Sequence, residues 1–249
     1  MIRRVWPPLL VLVLLFGAWE IYVDAGGIDD LVLPAPSQIA SSLWNDRQLL
    51  LDNLRVTAEE VGLGVLLALV LGFALGVLMH WSDLLNRALF PLMVASQAVP
   101  LIILAPVLVY WVGFGVLPKL VIIGLICFFP VVVTTADGLR AVDPELRKLL
   151  RTLDASRWQV LRFAELPAAA PAALSGARIA VAIAVIGAVL AEAAGSTSGL
   201  GHLELQAIPN LETARSYAAV SVMAVFAIAL FYALGAAERR LLPPRPPSS

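Results

Sequence analysis

DPELRKLLRTLDASRWQVLRFAELPAAAP, residues 143–171, is the longest polar interruption between apolar runs in the second half of the chain. It carries Arg147, Lys148, Arg151, Arg157 and Arg162, with Arg140 just upstream. Its leucine and tryptophan spacing predicts a pair of short amphipathic helices. Asp143-Pro144 places a capping residue before a proline at the first helical position, a favourable helix start. Leu166-Pro167 predicts the end of the second helix, because proline lacks an N–H and disfavours helix at the residue before it. An ordered basic loop between membrane-length segments predicts a partner.

The flanking sequence identifies those segments. Residues of the hydrophobic set make up 60% of the chain and charged residues 14%. A soluble domain carries about 45–50% apolar and about 25% charged residues, so the chain reads as an integral membrane protein. A net charge of −1 is uninformative, because the charge is segregated along the chain. The one cysteine, Cys127, lies in an apolar run, which excludes an internal disulfide and argues against a cysteine metal site. His80 and His202 are far apart in sequence and make a poor basis for a metal centre. No G-x-x-x-x-G-K phosphate loop is present, so ATP hydrolysis by this chain itself is not expected.

A bilayer core of about 30 Å needs roughly 20 apolar helical residues. The first such run is 5–23, after Arg3 and Arg4. A signal peptide is the alternative, but Trp19, Glu20 and the lack of a small-residue cleavage site favour a retained helix. Asp24, Gly26, Gly27, Asp29 and Asp30 end it, and an amphipathic stretch follows over 36–54. Residues 61–79 form a second span, with Gly72 and Gly76 at a spacing that lets helices approach closely. Residues 88–111 predict one helix kinked by Pro91, Pro100 and Pro106, closed by Gly113-Phe114-Gly115. Further spans are 119–136, interrupted by Pro130, then the alanine-rich 173–194 with Arg178, and 217–237, closed by Arg239 and Arg240.

The expected fold is an all-α integral membrane protein of six transmembrane helices. Residues 1–56 comprise the first helix and a periplasmic amphipathic segment, 57–242 a core of five helices, and 243–249 a Pro-rich cytoplasmic tail. With both termini in the cytoplasm, thirteen of the 17 Lys and Arg residues lie inside. Only Arg47, Arg55, Lys119 and Arg215 lie outside, which puts the 143–171 loop in the cytoplasm.

The loop resembles the cytoplasmic EAA loop of permease subunits of bacterial ATP-binding-cassette importers. Leu166-Pro167 match the end of that motif, and Leu153-x-Ala155-Ser156 match its Leu-Gly-Ala-Ser centre. The sequence departs from it at Lys148-Leu149-Leu150, where Glu-Ala-Ala is usual, at Asp154 in place of glycine, and at Ala164 in place of isoleucine. Leu33-Pro34-x-Pro36-Ser37 is similar to a signature of the sulfonate, taurine and nitrate branch. So are Ser96-Gln97-x-x-Pro100, Ala105-Pro106, Gly113-Phe114-Gly115, Gly138-Leu139, Asp143-Pro144-Glu145-Leu146, Glu192 and Gly199-Leu200-Gly201. Phe128-Phe129-Pro130 with Ser96-Gln97 looks most like permeases for riboflavin or pyrimidine precursors.

The resemblance implies a multi-pass subunit of the bacterial inner membrane, working as a pair, with a cytoplasmic ATPase dimer and an extracytoplasmic solute-binding protein. ATP and magnesium would sit on the ATPase, this chain binding no cofactor; membrane lipid is a further partner and nucleic acid is not. Leu146, Leu149, Leu150 and Leu153 have the spacing of a helix laid in a groove, with Arg147, Lys148 and Arg151 beside them. These residues, with Asp154 and Ala155, are the candidate ATPase-docking set. The same leucines could instead pack on the chain's own helices, with the basic residues meeting anionic headgroups.

Gln97, Pro100, Phe128, Phe129 and Glu192 are the candidate pathway residues. A mid-helix proline frees a backbone carbonyl, Gln97 offers an amide, and a phenylalanine could stack on a heterocycle or simply pack. Glu192 is a carboxylate in an apolar run, functional by default in a bilayer, although solvation at the outer interface is the alternative. An ion-gradient-driven secondary transporter is the rival reading. It would be expected to show buried acid or histidine relays, for which Glu20 and Glu192 are the only candidates.

Overall fold

A computed structural model describes residues 2–241 of the 249-residue chain, with the side chains of 2–5, 8, 9 and 241 outside that description. The expected tail 243–249 with Arg245, and the side chains of Arg3 and Arg4, therefore lie outside the described residues. All regular structure within them is helical. Helix α1 spans Ile2–Gly26, α2 Pro36–Asn45, α3 Arg47–Trp81, α4 Asp83–Gln97, α5 Leu101–Val112 and α6 Val116–Arg140. The short α7, Pro144–Thr152, is followed by α8, Arg157–Val160, then a π-helical turn, Leu161–Glu165, and α9, Leu166–Gly195. Helices α10, Leu200–Ala207, and α11, Thr213–Leu241, complete the chain.

Four stretches are long and apolar enough to cross a bilayer: Arg47–Trp81, Val116–Arg140, Arg157–Gly195 and Thr213–Arg240. The pair α4 and α5, bent by 101°, makes a fifth if counted as one span. The bend is far sharper than the single kinked helix read from the sequence. Pro100 has no N–H to continue the helix and takes an extended conformation as the cap of α5, while Ala98 N–H bonds the Ala95 carbonyl and closes α4. Pro130 and Pro171, by contrast, lie inside helices that continue. The 35 residues of α3 span about 52 Å, so this helix extends well beyond a hydrocarbon core and takes in residues 47–54, the second part of the amphipathic stretch, whose first part forms α2.

The second half of the basic loop also differs from expectation. Leu166-Pro167 does not end a short helix: α8, the π turn and α9 form one continuous stretch. The π turn explains how. Leu166 N–H reaches back five residues to the Leu161 carbonyl, and this widened turn accommodates Pro167, whose missing N–H would break a tighter ladder.

The chain forms two compact units. The first comprises residues up to 57 with 197–225. Here Trp19 stacks on Phe16 and lies 6.2 Å from Tyr217. The Glu20 carboxylate accepts the Ser37 N–H at 3.0 Å, capping the start of α2 from a distance. Arg215 donates to Asp46 at 3.0 Å and pairs with Glu212. The Arg215 hydrogen bond holds the Asp46 carboxyl below the usual carboxylate range.

The second unit, 58–196 with 226 onward, contains α6 packed along α9. Lipid tails supply no hydrophobic drive between such helices, so close packing of small residues holds them together. A Cβ at Gly72 would stand 2.9 Å from Val131, and one at Gly76 2.8 Å from Thr135, so both glycines bring α3 against α6. A Cβ at Gly176 would collide with the Thr134 hydroxyl and lie 2.9 Å from the Pro130 carbonyl oxygen. The Cys127 thiol donates to the Ala180 carbonyl at 3.3 Å, joining the same two helices. Gly176→Val is accordingly expected to destabilise the protein by about 1–3 kcal/mol. Gly62→Ala, where the added methyl meets open space, is expected to stabilise it by up to about 1 kcal/mol. Thermal unfolding in detergent reads both.

Candidate functional site

Helix α7 is built for exposure. Asp143 caps it, its Oδ1 accepting the Glu145 N–H at 2.8 Å, and Pro144 takes the first turn. Leu146, Leu149 and Leu153 are 40%, 57% and 70% exposed and follow one another at i, i+3 and i+7. Leu150 is only partly exposed; Lys148 and Arg151 are exposed, Arg151 also lining a cavity behind the helix. The helix ends with the Ala155 N–H on the Leu150 carbonyl and the Asp154 N–H on the Arg151 carbonyl, a Schellman motif. That closure requires a left-handed residue, and Asp154 supplies it at φ +57°. Where the resembling loops carry glycine, this chain uses an aspartate, one of the few side chains that tolerate the conformation.

Arg147 faces the other way. Its Nε lies 2.7 Å from Oε1 of the buried Glu165, and its Nη2 donates to the Leu139 carbonyl at the end of α6. The other oxygen of Glu165 lies 3.0 Å from His80 Nε2, near the end of α3. One carboxylate on the π turn therefore ties α7 to the ends of α3 and α6 and to the start of α9. Leu139, Leu161 and Ala169 form a buried cluster with Val77 and Leu166 packed on it. Nothing in the local sequence marks Glu165 or His80: they are 85 residues apart, and only the fold joins them.

The expected pathway residues are distributed around the second unit. Gln97 and Pro100 flank the bend between α4 and α5, the Gln97 amide 3.5 Å from the Ser96 hydroxyl. Phe128 and Phe129 pack against Met79, Met93 and Val132. Glu192 is fully buried in α9. Near it in sequence, Ser196 takes part in a second buried polar group. Lys119 Nζ lies 2.5 Å from Glu60 Oε1 and 2.7 Å from Ser196 Oγ, with lysine and glutamate both buried. The sequence counted Lys119 only as a flanking charge. The signal was a lysine opening one apolar span and an acid pair, Glu59-Glu60, opening another.

The chain is similar to known proteins. Residues 64–245 match the family of binding-protein-dependent transport system inner membrane components. An ABC transporter permease protein of Haemophilus influenzae is 34% identical over 93% of this chain and 94% of its own. The formylaminopyrimidine transport permease ThiX of Halalkalibacterium halodurans is 34% identical over 95% of this chain and 94% of its own. The riboflavin permease RibX of Chloroflexus aurantiacus is 32% identical over 96% and 91%. Permeases named for aliphatic sulfonates in Bacillus subtilis and for taurine in Escherichia coli match at 31% over 87% and 79%, and at 30% over 97% and 90%. A chain of the MetNI methionine ABC transporter, solved in inward-facing conformations, superposes with a TM-score of 0.71 at 19% identity, covering 80% of this chain and 99% of that one. With a family match over most of its length and relatives that align nearly end to end, this chain belongs to the binding-protein-dependent transport system inner membrane components, and is a multi-pass inner-membrane transport subunit of the ABC permease kind.

Proposed function

We propose that the subunit imports a small polar organic solute, with α7 as the helix that docks a cytoplasmic ATPase. The single observation that carries this is the exposed leucine row, Leu146, Leu149 and Leu153, bordered by Lys148 and Arg151. An apolar stripe on a short helix fits a groove on a partner, and flanking cations suit an acidic rim. Arg147 belongs to the inner face of α7, where it carries load between the docked helix and the membrane helices. ATP and magnesium reside on the partner.

The topology that goes with this function has six spans. Helix α1, 25 residues long, is the first, and the bent pair α4 and α5 crosses once. The Lys and Arg distribution supports a cytoplasmic position for both termini and α7. The organisation is then a first helix with its outer segment over 1–56, a five-span core over 57–242 and a tail. Two copies form the pathway, and a binding protein delivers the solute on the outer face. Likeness to permeases named for formylaminopyrimidine and riboflavin favours a nitrogen heterocycle as cargo. Gln97, Pro100, Phe128, Phe129 and Glu192 are the residues we assign to its path. Differential affinity of the two facing states for ATP and solute drives the cycle.

Leu149→Asp is expected to abolish co-purification of the ATPase and solute-stimulated hydrolysis while the chain still inserts. Full stimulation in that variant would sink the docking reading. Asp154→Gly should relieve the left-handed aspartate, raise stability by up to about 1 kcal/mol and leave ATPase binding intact, as melting curves and pull-down would read.

A further inference from the structure

Behind α7 lies a cavity of about 360 Å³ whose wall carries Arg147, Arg151, Arg157, His80, Trp81 and Asp83. Glu165 also borders it, but both its oxygens are engaged by Arg147 and His80. Arg151 and Arg157 make no ion pair among the described residues, so two guanidiniums face the cavity with Asp83 as the only uncommitted carboxylate on its wall. An arginine fork presents paired N–H donors that match phosphate oxygens, and it stays charged at any physiological pH.

Beside these arginines, Trp81 and Trp158 stack with ring centroids 6.0 Å apart and planes at 29°. Both indoles are about half exposed. Trp81 is the last residue of one membrane-length helix, and Trp158 is the second residue of another. Tryptophan at such a position sits at headgroup depth, one side apolar and one side wet. An anion site and an interfacial aromatic pair therefore share one wall at the level where the chain leaves the bilayer.

We infer that this cavity binds a phosphate-bearing anion, the headgroup of an anionic phospholipid, with Arg151 and Arg157 on the phosphate oxygens and the stacked indoles against the glycerol region. The inference rests on the proposed cytoplasmic position of α7 only for which leaflet supplies the lipid. A bound headgroup neutralises the two arginines and fills the space behind the docking helix, so membrane composition tunes how firmly α7 is held.

Native mass spectrometry of the permease–ATPase complex, extracted from membranes of mixed phosphatidylglycerol and phosphatidylcholine, tests this. Wild-type complex is expected to retain phosphatidylglycerol in preference to phosphatidylcholine. Arg157→Gln should reduce that retention about fivefold, and Arg151→Gln with Arg157→Gln by about tenfold or more. Arg157→Lys keeps the charge and should keep most of the lipid, which separates loss of the site from loss of the fold. Displacement by added inorganic phosphate would show that free phosphate shares the site, whereas resistance to it identifies the lipid as the occupant. Equal retention of the two lipids, or unchanged phosphatidylglycerol in the double variant, would overturn the inference. The same spectra show whether ATPase is bound to the wild type, so a failure of the docking reading appears as a missing ATPase with lipid retention intact.

Discussion

A single buried carboxylate joins four helical elements at one end of the second unit. Glu165 sits on a π-helical turn with one oxygen on Arg147 and the other on His80. Taking a carboxylate out of water is unfavourable unless nearby charge or hydrogen bonding offsets it, and here a guanidinium lies 2.7 Å from one oxygen and an imidazole 3.0 Å from the other. Arg147 is a residue of α7, His80 lies near the end of α3, and Arg147 also holds the last carbonyls of α6 through Leu139. Without this group α7 would be an amphipathic helix of nine residues, too short to hold its position by its own propensity. With it, the outward leucines of α7 are mounted on the ends of membrane helices.

The rest of the second unit supports that mounting by close packing. Gly72 and Gly76 let α3 lie on α6, and Gly176 lets α9 lie on α6 at Pro130 and Thr134. The aliphatic cluster around Leu139, Leu161 and Ala169 seats the π turn directly beneath Glu165. The helix α7 is therefore anchored on long, tightly packed helices. At the other end of α6 a second buried pair, Lys119 with Glu60 inside α3, joins the same two helices and the turn after α9 through Ser196. Buried charge pairs at both ends of one helix bundle suit discrete arrangements better than continuous bending.

Much of this was legible before any coordinates. Composition and apolar periodicity identified the membrane helices, and the 143–171 loop identified the family. The errors concern proline. The sequence predicts a kink at Pro100, where the chain instead turns extended and breaks the helix, and a stop at Pro167, which a π turn absorbs. Proline removes a donor in every case, but whether the helix ends depends on neighbours that spacing does not reveal. Arg147 illustrates the other limit. Its place beside Lys148 and Arg151 makes it look like a third surface cation, and only its partners, Glu165 18 residues downstream and the Leu139 carbonyl at the end of α6, turn it inward. Asp154 is the converse: a departure from the glycine of the resembling loops whose purpose becomes plain from one backbone angle.

Solute-stimulated ATP hydrolysis by the reconstituted complex, measured for Glu165→Gln and for the exchange of Arg147→Glu with Glu165→Arg, tests most directly whether α7 is coupled through this carboxylate. The account predicts that Glu165→Gln still binds the ATPase but loses most of its stimulation, and that the exchange restores a substantial part of it. Wild-type stimulation in Glu165→Gln would contradict it.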